Sequence, residues 1–265
     1  MTNAVEAHQL SYSYGKKKAV DAVSFTVAQG EWLALLGPNG AGKTTTLHML
    51  TTMARPDSGS AAIMGFDTVK QSRQARGALG MVFQTPALDG KLTAMENLRI
   101  HGILYGMAGA ELRRSCDAAL DWAGLTDYAN RPAGSMSGGM KRRLELARTL
   151  MHEPGVLFMD EPTVGLDAQA RRDLWVRIHD LRERGLTIVM TTHYLPEAEV
   201  CDRVGIIDGG KLAALDTPAN LLSQVLGEGE GDLEDVFFTL TGRGIGPINT
   251  PLDRASLQQP PRGYR

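Results

Sequence analysis

The sequence predicts an α/β fold in which a mainly parallel core sheet carries an N-terminal antiparallel β lobe and an inserted α-helical subdomain. Three observations lead to this fold class. Strand-like segments with alternating apolar residues open the chain, segments of helical periodicity occupy its middle, and compact apolar runs alternate with amphipathic segments in its second half. Alternation of the last kind is typical of a parallel sheet covered by helices.

The β lobe is expected at residues 8–28. Val23, Phe25 and Val27 alternate with other residues there, and the turn-forming segment that begins at Gly15 separates two predicted strands. Such short, alternating strands joined by a turn favour antiparallel pairing.

The remaining elements follow from apolar runs and helical spacing. A compact apolar run at 31–36 predicts a strand, and residues 43–54 predict a helix. Two amphipathic stretches within 96–123 predict the inserted helical subdomain. The later pattern predicts, in order, helix 141–151, strand 155–159, helix 168–184, strand 186–191 and strand 203–208.

Composition limits the functional classes. The chain has 265 residues, 43% hydrophobic, and a net charge of −2, so it has no general attraction to nucleic acid and any phosphate binding must be local. Cys116 and Cys201 lack the paired spacing of a zinc or redox motif. The N-terminal residues are too polar for a secretory signal and the longest apolar runs are too short for a membrane helix, so a cytoplasmic protein is expected.

A phosphate-binding loop lies between the strand at 31–36 and the following helix. It matches the P-loop pattern G-x-x-x-x-G-K-[ST]. Its residues are Gly37, Pro38, Asn39, Gly40, Ala41, Gly42, Lys43 and Thr44, with Thr45 next in the helix. Backbone N–H groups and the helix N-terminus suit phosphate, Lys43 supplies a charge for the β and γ phosphates, and the Thr44 hydroxyl suits Mg²⁺.

Two carboxylates end the predicted strand at 155–159. Asp160 is placed to reach the Mg²⁺ of the P-loop, because ligands bind at the carboxyl ends of parallel strands. The side chain of Glu161, one position further, projects in a different direction from that of Asp160. It can therefore orient and deprotonate an attacking water. An isolated Asp-Glu pair is usually a solvated turn, but its place downstream of a P-loop favours the catalytic interpretation.

A second glycine motif makes the resemblance specific. Met136, Ser137, Gly138, Gly139 and Met140 resemble the signature sequence of ABC ATPases, usually Leu-Ser-Gly-Gly-Gln, with methionine at its first and last positions. The resemblance implies a P-loop NTPase of the ABC ATPase fold. It also implies that the serine hydroxyl and two glycine amides contact ATP held by the partner subunit of a homodimer.

Further positions resemble ABC motifs in the family's order. Gln84 is similar to the glutamine loop, which senses Mg²⁺ and the reactive water, and Asp167 lies in a segment that resembles the D-loop, with Val164 where serine is often found. His193 resembles the switch histidine that contacts the γ-phosphate, and Tyr14 the aromatic residue that stacks on adenine. A strand residue is the alternative for Tyr14.

The resemblance covers residues 6–243, taken as the ATPase domain, with a helical subdomain at about 86–150. Residues 244–265 are expected to be a disordered tail. The segment 233–243 and the Ser-Gly-Gly-Met motif resemble ATPases of the ABC-2, daunorubicin-resistance type of exporter. This implies a subunit that hydrolyses ATP with Mg²⁺, dimerises, and drives a separate ABC-2-type transmembrane permease from the inner face of the cell membrane, without nucleic acid as a partner.

Two alternatives stay open from the sequence. A soluble ABC ATPase acting on ribosomes or DNA would usually carry two ATPase domains or a long coiled coil between its motifs, whereas about ninety residues separate the P-loop from the signature here. A nucleotide-binding scaffold without hydrolysis would not need Glu161.

Overall fold

The computed structural model describes residues 2–227, 231–242 and 244. The strands are β1 (Asn3–Tyr14), β2 (Lys17–Ala28), β3 (Trp32–Leu36), β4 (Ser58–Ile63), β5 (Phe66–Asp67), β6 (Leu79–Val82), β7 (Val156–Asp160), β8 (Thr187–Thr192), β9 (Arg203–Asp208) and β10 (Lys211–Asp216). The α-helices are α1 (Lys43–Leu50), α2 (Ser72–Ala78), α3 (Ala94–Leu104), α4 (Gly109–Ala123), α5 (Gly138–Leu150), α6 (Ala168–Glu183), α7 (Leu195–Ala198), α8 (Pro218–Leu226) and α9 (Leu233–Thr241).

The strands of the described residues form two sheets. The smaller sheet is antiparallel, in the order β2-β1-β4-β5. The larger has the order β10-β9-β3-β8-β7-β6, and its neighbouring strands are parallel except at one edge, where β10 pairs antiparallel with β9. The predicted parallel core sheet and antiparallel lobe are confirmed. The lobe also contains β4 and β5, which the sequence did not predict.

Strand β3 separates the two main apolar clusters of the core. Trp32, Ala34 and Leu36 face a cluster that includes residues of α6, α8 and α9. Leu33 and Leu35 face the other side, where residues of the β lobe and α1 pack. All of β3 is buried, which explains its continuous apolar sequence, since a strand covered on both faces needs no polar side.

The helical insertion between β6 and β7 is confirmed. Helices α3, α4 and α5 enclose a third apolar cluster, and α3 begins with a capping box between Thr93 and Glu96. Among the described residues, no helix combines the length and apolar character needed to span a bilayer. The boundaries 6–243 and 86–150 stay predictions, and the expected tail at 244–265 lies, apart from Gly244, outside the described residues.

The topology places the chemically important segments at one edge of the core sheet. Strands β3, β6, β7 and β8 run parallel, so their carboxyl ends meet at the same edge. The residues that follow these ends include Gly37, Gln84, Glu161 and His193.

Candidate active site

The P-loop joins β3 to α1 and encloses the Lys43 side chain. Lys43 Nζ donates to the carbonyl oxygens of Gly37, at 2.7 Å, and Pro38, at 3.1 Å. Gly42 has a φ of 108°, and a Cβ at this position would lie 2.5 Å from the carbonyl oxygen of Ala19 in β2. Glycine is therefore required both by the left-handed backbone and by the close approach of the lobe.

The first turn of α1 is open to an anion. The helix begins at Lys43, no acidic side chain lies in its first turn, and the Gly42 N-cap has no side chain to bond the free N–H groups. Asn39, Gly40 and Thr44 are exposed on the same loop. The arrangement suits phosphate, which combines with free backbone donors and the positive end of a helix.

Thr44 and Asp160 place two oxygen ligands side by side. Thr44 Oγ1 donates to Asp160 Oδ1 at 3.0 Å, and Thr191 Oγ1 donates to the same oxygen at 2.5 Å. Hydroxyl and carboxylate oxygens fit Mg²⁺. In the part of the chain that the structure describes, no group of three His, Cys, Asp or Glu residues could hold a metal alone. A cation that takes its other ligands from phosphate and water fits such a site.

Glu161 is held in an unusual backbone conformation at the end of β7. Its φ of 44° lies in the left-handed region, which is uncommon for residues other than glycine. Its backbone N–H bonds Thr191 in β8, at 3.2 Å from the carbonyl oxygen and 3.0 Å from Oγ1. These bonds stabilise the strained conformation and fix where the Glu161 side chain projects.

The four predicted catalytic residues meet at the Glu161 carboxylate. Lys43 Nζ and His193 Nδ1 each lie 3.3 Å from Glu161 Oε1. Gln84 Nε2 donates to Glu161 Oε2 at 3.1 Å. The His193 contact has ion-pair distance, but Nδ1 lacks hydrogen-bond geometry, so we regard it as electrostatic.

These contacts determine the charge states of the site. Burial alone would raise the pKa of Glu161, but the contact with His193 and the charge of Lys43 together lower it, so the carboxylate is ionised. Burial lowers the pKa of Lys43, and Glu161 opposes that shift. Contact with Glu161 raises the pKa of His193.

Glu197 is a residue that the sequence motifs did not indicate. It lies on α7, only 1% exposed, and accepts hydrogen bonds from Thr163 and from Thr192, the latter at 2.7 Å. Burial raises the pKa of this carboxyl, and the two threonine hydroxyls oppose the shift. Glu197 therefore connects the segment after Glu161 to the residue before His193. An acidic residue four positions after that histidine was the available signal.

The signature residues lie outside this cluster. Ser137 is the N-cap of α5, where its Oγ accepts from Met140 N at 3.2 Å. Ser137 and Gly138 are exposed, and a Cβ at Gly139 would lie 2.7 Å from Ala170 Cβ, at the start of α6. Asp167 caps α6 by accepting from Ala170 N at 2.8 Å. The signature and the D-loop segment are therefore neighbours on an open surface.

Tyr14 and the two signature methionines have distinct environments. Tyr14 is 55% exposed at the end of β1 and makes an edge contact with Tyr12, at 5.0 Å between ring centroids. Met136 is buried in the helical cluster, and Met140 packs against that cluster. The methionine substitutions therefore serve packing within the insertion.

Comparison with known proteins establishes the family. The sequence model of the family described as ABC transporter matches residues 20–164, more than half of the chain. The chain belongs to the ABC transporter ATP-binding family. It is 45% identical to the Nod factor export ATP-binding protein I of Paraburkholderia xenovorans, over 84% of this chain and 74% of that protein. The linearmycin resistance ATP-binding protein LnrL of Bacillus subtilis is 41% identical over 91% of this chain and 76% of its own length.

Solved structures agree with this assignment. The structure of an ATP-binding subunit of an ABC transporter has a TM-score of 0.81 at 30% identity, covering 90% of this chain and 99% of that one. A dimeric ATP-binding cassette bound to ADP and phosphate has a TM-score of 0.73 at 27% identity, covering 80% of this chain and 98% of the other.

The prediction of an ATP-binding and ATP-hydrolysing ABC transporter subunit is confirmed. The relatives are named for export and resistance, which supports an exporter subunit over an ABC ATPase acting on ribosomes or DNA. The relatives are ATP-binding proteins of transport systems, and the solved cassette bound to ADP and phosphate is a dimer.

Proposed function

We propose that this subunit hydrolyses MgATP at the cluster around Glu161, as one half of a nucleotide-sandwiching homodimer that drives export. The observation that carries the proposal is the convergence of Lys43, Gln84 and His193 on the Glu161 carboxylate, beside the Thr44–Asp160 pair. The ionised Glu161 carboxylate is able to accept a proton from water, and these contacts hold it beside the phosphate-binding loop.

Each residue has a defined task in the proposed reaction. Glu161 accepts the proton of the attacking water, and Gln84 orients that water. When ATP binds, the side chains of Lys43 and His193 turn from Glu161 to the β and γ phosphates. Backbone N–H groups of the P-loop that make no bond within the loop or to β8 hold the phosphates, and Pro38 contributes none because it lacks an N–H. Thr44, Asp160 and Gln84 would hold Mg²⁺, which would neutralise charge on the phosphate oxygens.

A second copy of the chain completes the site. At the exposed N-terminus of α5, Ser137, Gly138 and Gly139 contact the γ-phosphate of the ATP that the other protomer binds. Asp167 lies at the same surface. Tyr14 is exposed on the β lobe, which packs against the P-loop, and its ring stacks on adenine. ATP then stabilises the closed dimer, and loss of the γ-phosphate opens it.

The transmembrane partner is proposed to be an ABC-2-type permease. Helix α3 carries an exposed apolar surface formed by Ile100, Ile103, Leu104 and Tyr105. This surface lies in the proposed helical subdomain at 86–150, which is part of the proposed ATPase domain at 6–243. It binds a cytoplasmic helix of the permease. The subunit is thereby held on the inner face of the cell membrane. Relatives named for Nod factor export and linearmycin resistance support export as the direction.

The test is ATP hydrolysis by the wild type and Glu161→Gln, with size-exclusion chromatography in MgATP. We expect the variant to lose at least about a hundredfold of activity, since it lacks the base, and to elute as an ATP-dependent dimer. Glu153→Gln, at an exposed glutamate, is the control and keeps wild-type activity. Full activity of Glu161→Gln would show that the base assignment is wrong.

A further inference from the structure

Helix α5 carries a buried ion pair just after the signature residues. Arg142 Nη1 lies 2.8 Å from Glu145 Oε2, and the two side chains are 2% and 0% exposed. Burial lowers the pKa of Arg142 and raises that of Glu145, and the attraction between the two side chains opposes both shifts. Neither side chain bonds Glu161 itself in the part of the chain that the structure describes.

The remaining polar contacts of this pair reach the Q-loop segment, defined as residues 83–87. Arg142 donates through Nη1 to the carbonyl oxygen of Phe83 and through Nη2 to that of Gln84, at 2.7 Å. Glu145 Oε1 accepts from Ala87 N at 2.9 Å. The pair therefore holds the backbone of the Q-loop segment at both ends.

Stability alone does not account for such a pair. A buried ion pair gains little over apolar side chains of the same volume, because desolvation offsets the attraction between the charges. Directed hydrogen bonds from a planar guanidinium do fix orientation. The bonded backbone includes Gln84, whose side chain donates to Glu161, and the helix that carries the pair begins next to Ser137.

We propose that Arg142 and Glu145 are positioning residues that lock the Q-loop segment to α5. Gln84, at the protomer's own nucleotide, and Ser137, which faces the partner's nucleotide, then move as one unit. ATP bound at one site thereby sets the position of the signature that serves the other. This coupling rests on the proposed sandwich dimer, whereas the lock itself is a property of one chain.

The first measurement tests the lock in the monomer by hydrogen exchange. The variant combines Arg142→Met with Glu145→Gln, so that neither member of the pair is left charged without the other. We expect at least about tenfold faster amide exchange in the Q-loop segment, since charge-assisted bonds are lost, with P-loop exchange and affinity for fluorescent ATP unchanged. Arg142→Lys, which retains the charge, recovers part of the protection. Unchanged amide exchange in the Q-loop segment would overturn the lock. An equal loss of protection in the P-loop would overturn it too.

The second measurement tests the coupling in the Glu161→Gln background by ATP-dependent dimerisation. Adding the paired substitutions should raise the ATP concentration needed for dimerisation at least about tenfold. Arg177→Met is the matched control, because Arg177 also donates to a backbone carbonyl, that of Trp122 in α4, which lies outside the Q-loop segment. Equal dimerisation with and without the paired substitutions, or an equal effect of the control, would overturn the coupling. Failure of Glu161→Gln itself to dimerise would contradict the sandwich dimer. The lock would then still be tested by the hydrogen-exchange measurement.

Discussion

The P-loop and the signature segment are both glycine-containing turns at helix N-termini, but they differ in how far the rest of the chain encloses them. Lys43 is 4% exposed, and Gly42 is pressed against the β lobe, so the P-loop is built within one chain. Ser137 and Gly138 are exposed at the start of α5, and the Ser137 hydroxyl caps its own helix. In the proposed homodimer, one phosphate-binding element is therefore complete within the chain, and the other faces a second copy.

This contrast determines where each substitution should act. A change in the P-loop should damage nucleotide binding by the altered chain, because its partners all come from that chain. A change in the signature should leave binding by the altered chain intact and damage hydrolysis at the site of its partner.

The largest expected effect is recovery of activity on mixing two inactive variants. Lys43→Ala removes the buried cation of the P-loop, and Ser137→Asp keeps a good helix cap but places a negative charge where phosphate is expected. Each variant alone should lose at least about a hundredfold of ATP hydrolysis. An equal mixture should recover about a quarter of wild-type activity, because about half of random dimers are mixed and one of their two sites is intact.

Nucleotide titration of the separate proteins completes this experiment. Ser137→Asp should bind fluorescent ATP as the wild type does, whereas Lys43→Ala should not. A mixture that forms mixed dimers but stays inactive would contradict composite sites that work independently.

A smaller effect is expected on stability, from alanine at one glycine of each segment. Gly42→Ala forces a Cβ into a left-handed backbone against Ala19, which should cost about 2 kcal/mol, roughly 4–8 °C in Tm. Gly138→Ala meets only Leu166, at 3.8 Å, and lies at the start of a helix, so its stability should stay within about 0.5 kcal/mol of wild type.

Both variants should lose hydrolysis, measured beside thermal unfolding. The comparison is informative because the two changes add the same methyl group. A Tm loss at Gly138 as large as that at Gly42 would show that the signature is as constrained by its own chain as the P-loop is.

The sequence predicts those parts of the molecule whose local pattern matches their environment. Strand β3 is buried on both faces and reads as a continuous apolar run, and the P-loop has a fixed spacing. Strand β4 escaped prediction because its first three residues are small and exposed and its burial depends on pairing with β1.

The candidate site shows the same division. Motif spacing indicated Gln84 and Glu161, but their hydrogen bond joins positions 77 residues apart, which no local pattern contains. Arg142 and Glu197 were not indicated because an arginine or a glutamate on a helix is usually a solvated residue. Their roles come from burial beside backbone carbonyls and threonine hydroxyls that only the folded chain brings to them.

The smallest expected effect concerns the pH dependence of stability without nucleotide. His193 has a raised pKa because it contacts Glu161, so the folded state holds this proton more tightly than the unfolded chain does. The stability from this contact is fully present below the ordinary imidazole pKa of about 6.5 and is lost as pH rises through the raised value. Because the His193 side chain is 40% exposed, solvent limits the gain to under about 1 kcal/mol.

The measurement compares Tm for the wild type and His193→Gln between pH 6 and pH 8. The wild type should be the more stable at the lower pH, and the difference should narrow toward the higher pH. In a Glu161→Gln background the pH dependence of the difference should disappear, because the carboxylate that raises the pKa is gone. A difference that is constant over this range, or that persists without Glu161, would show that His193 is held by other groups. Since Ser137 lies in the exposed signature segment, Ser137→Asp should leave the pH dependence of the nucleotide-free chain unchanged.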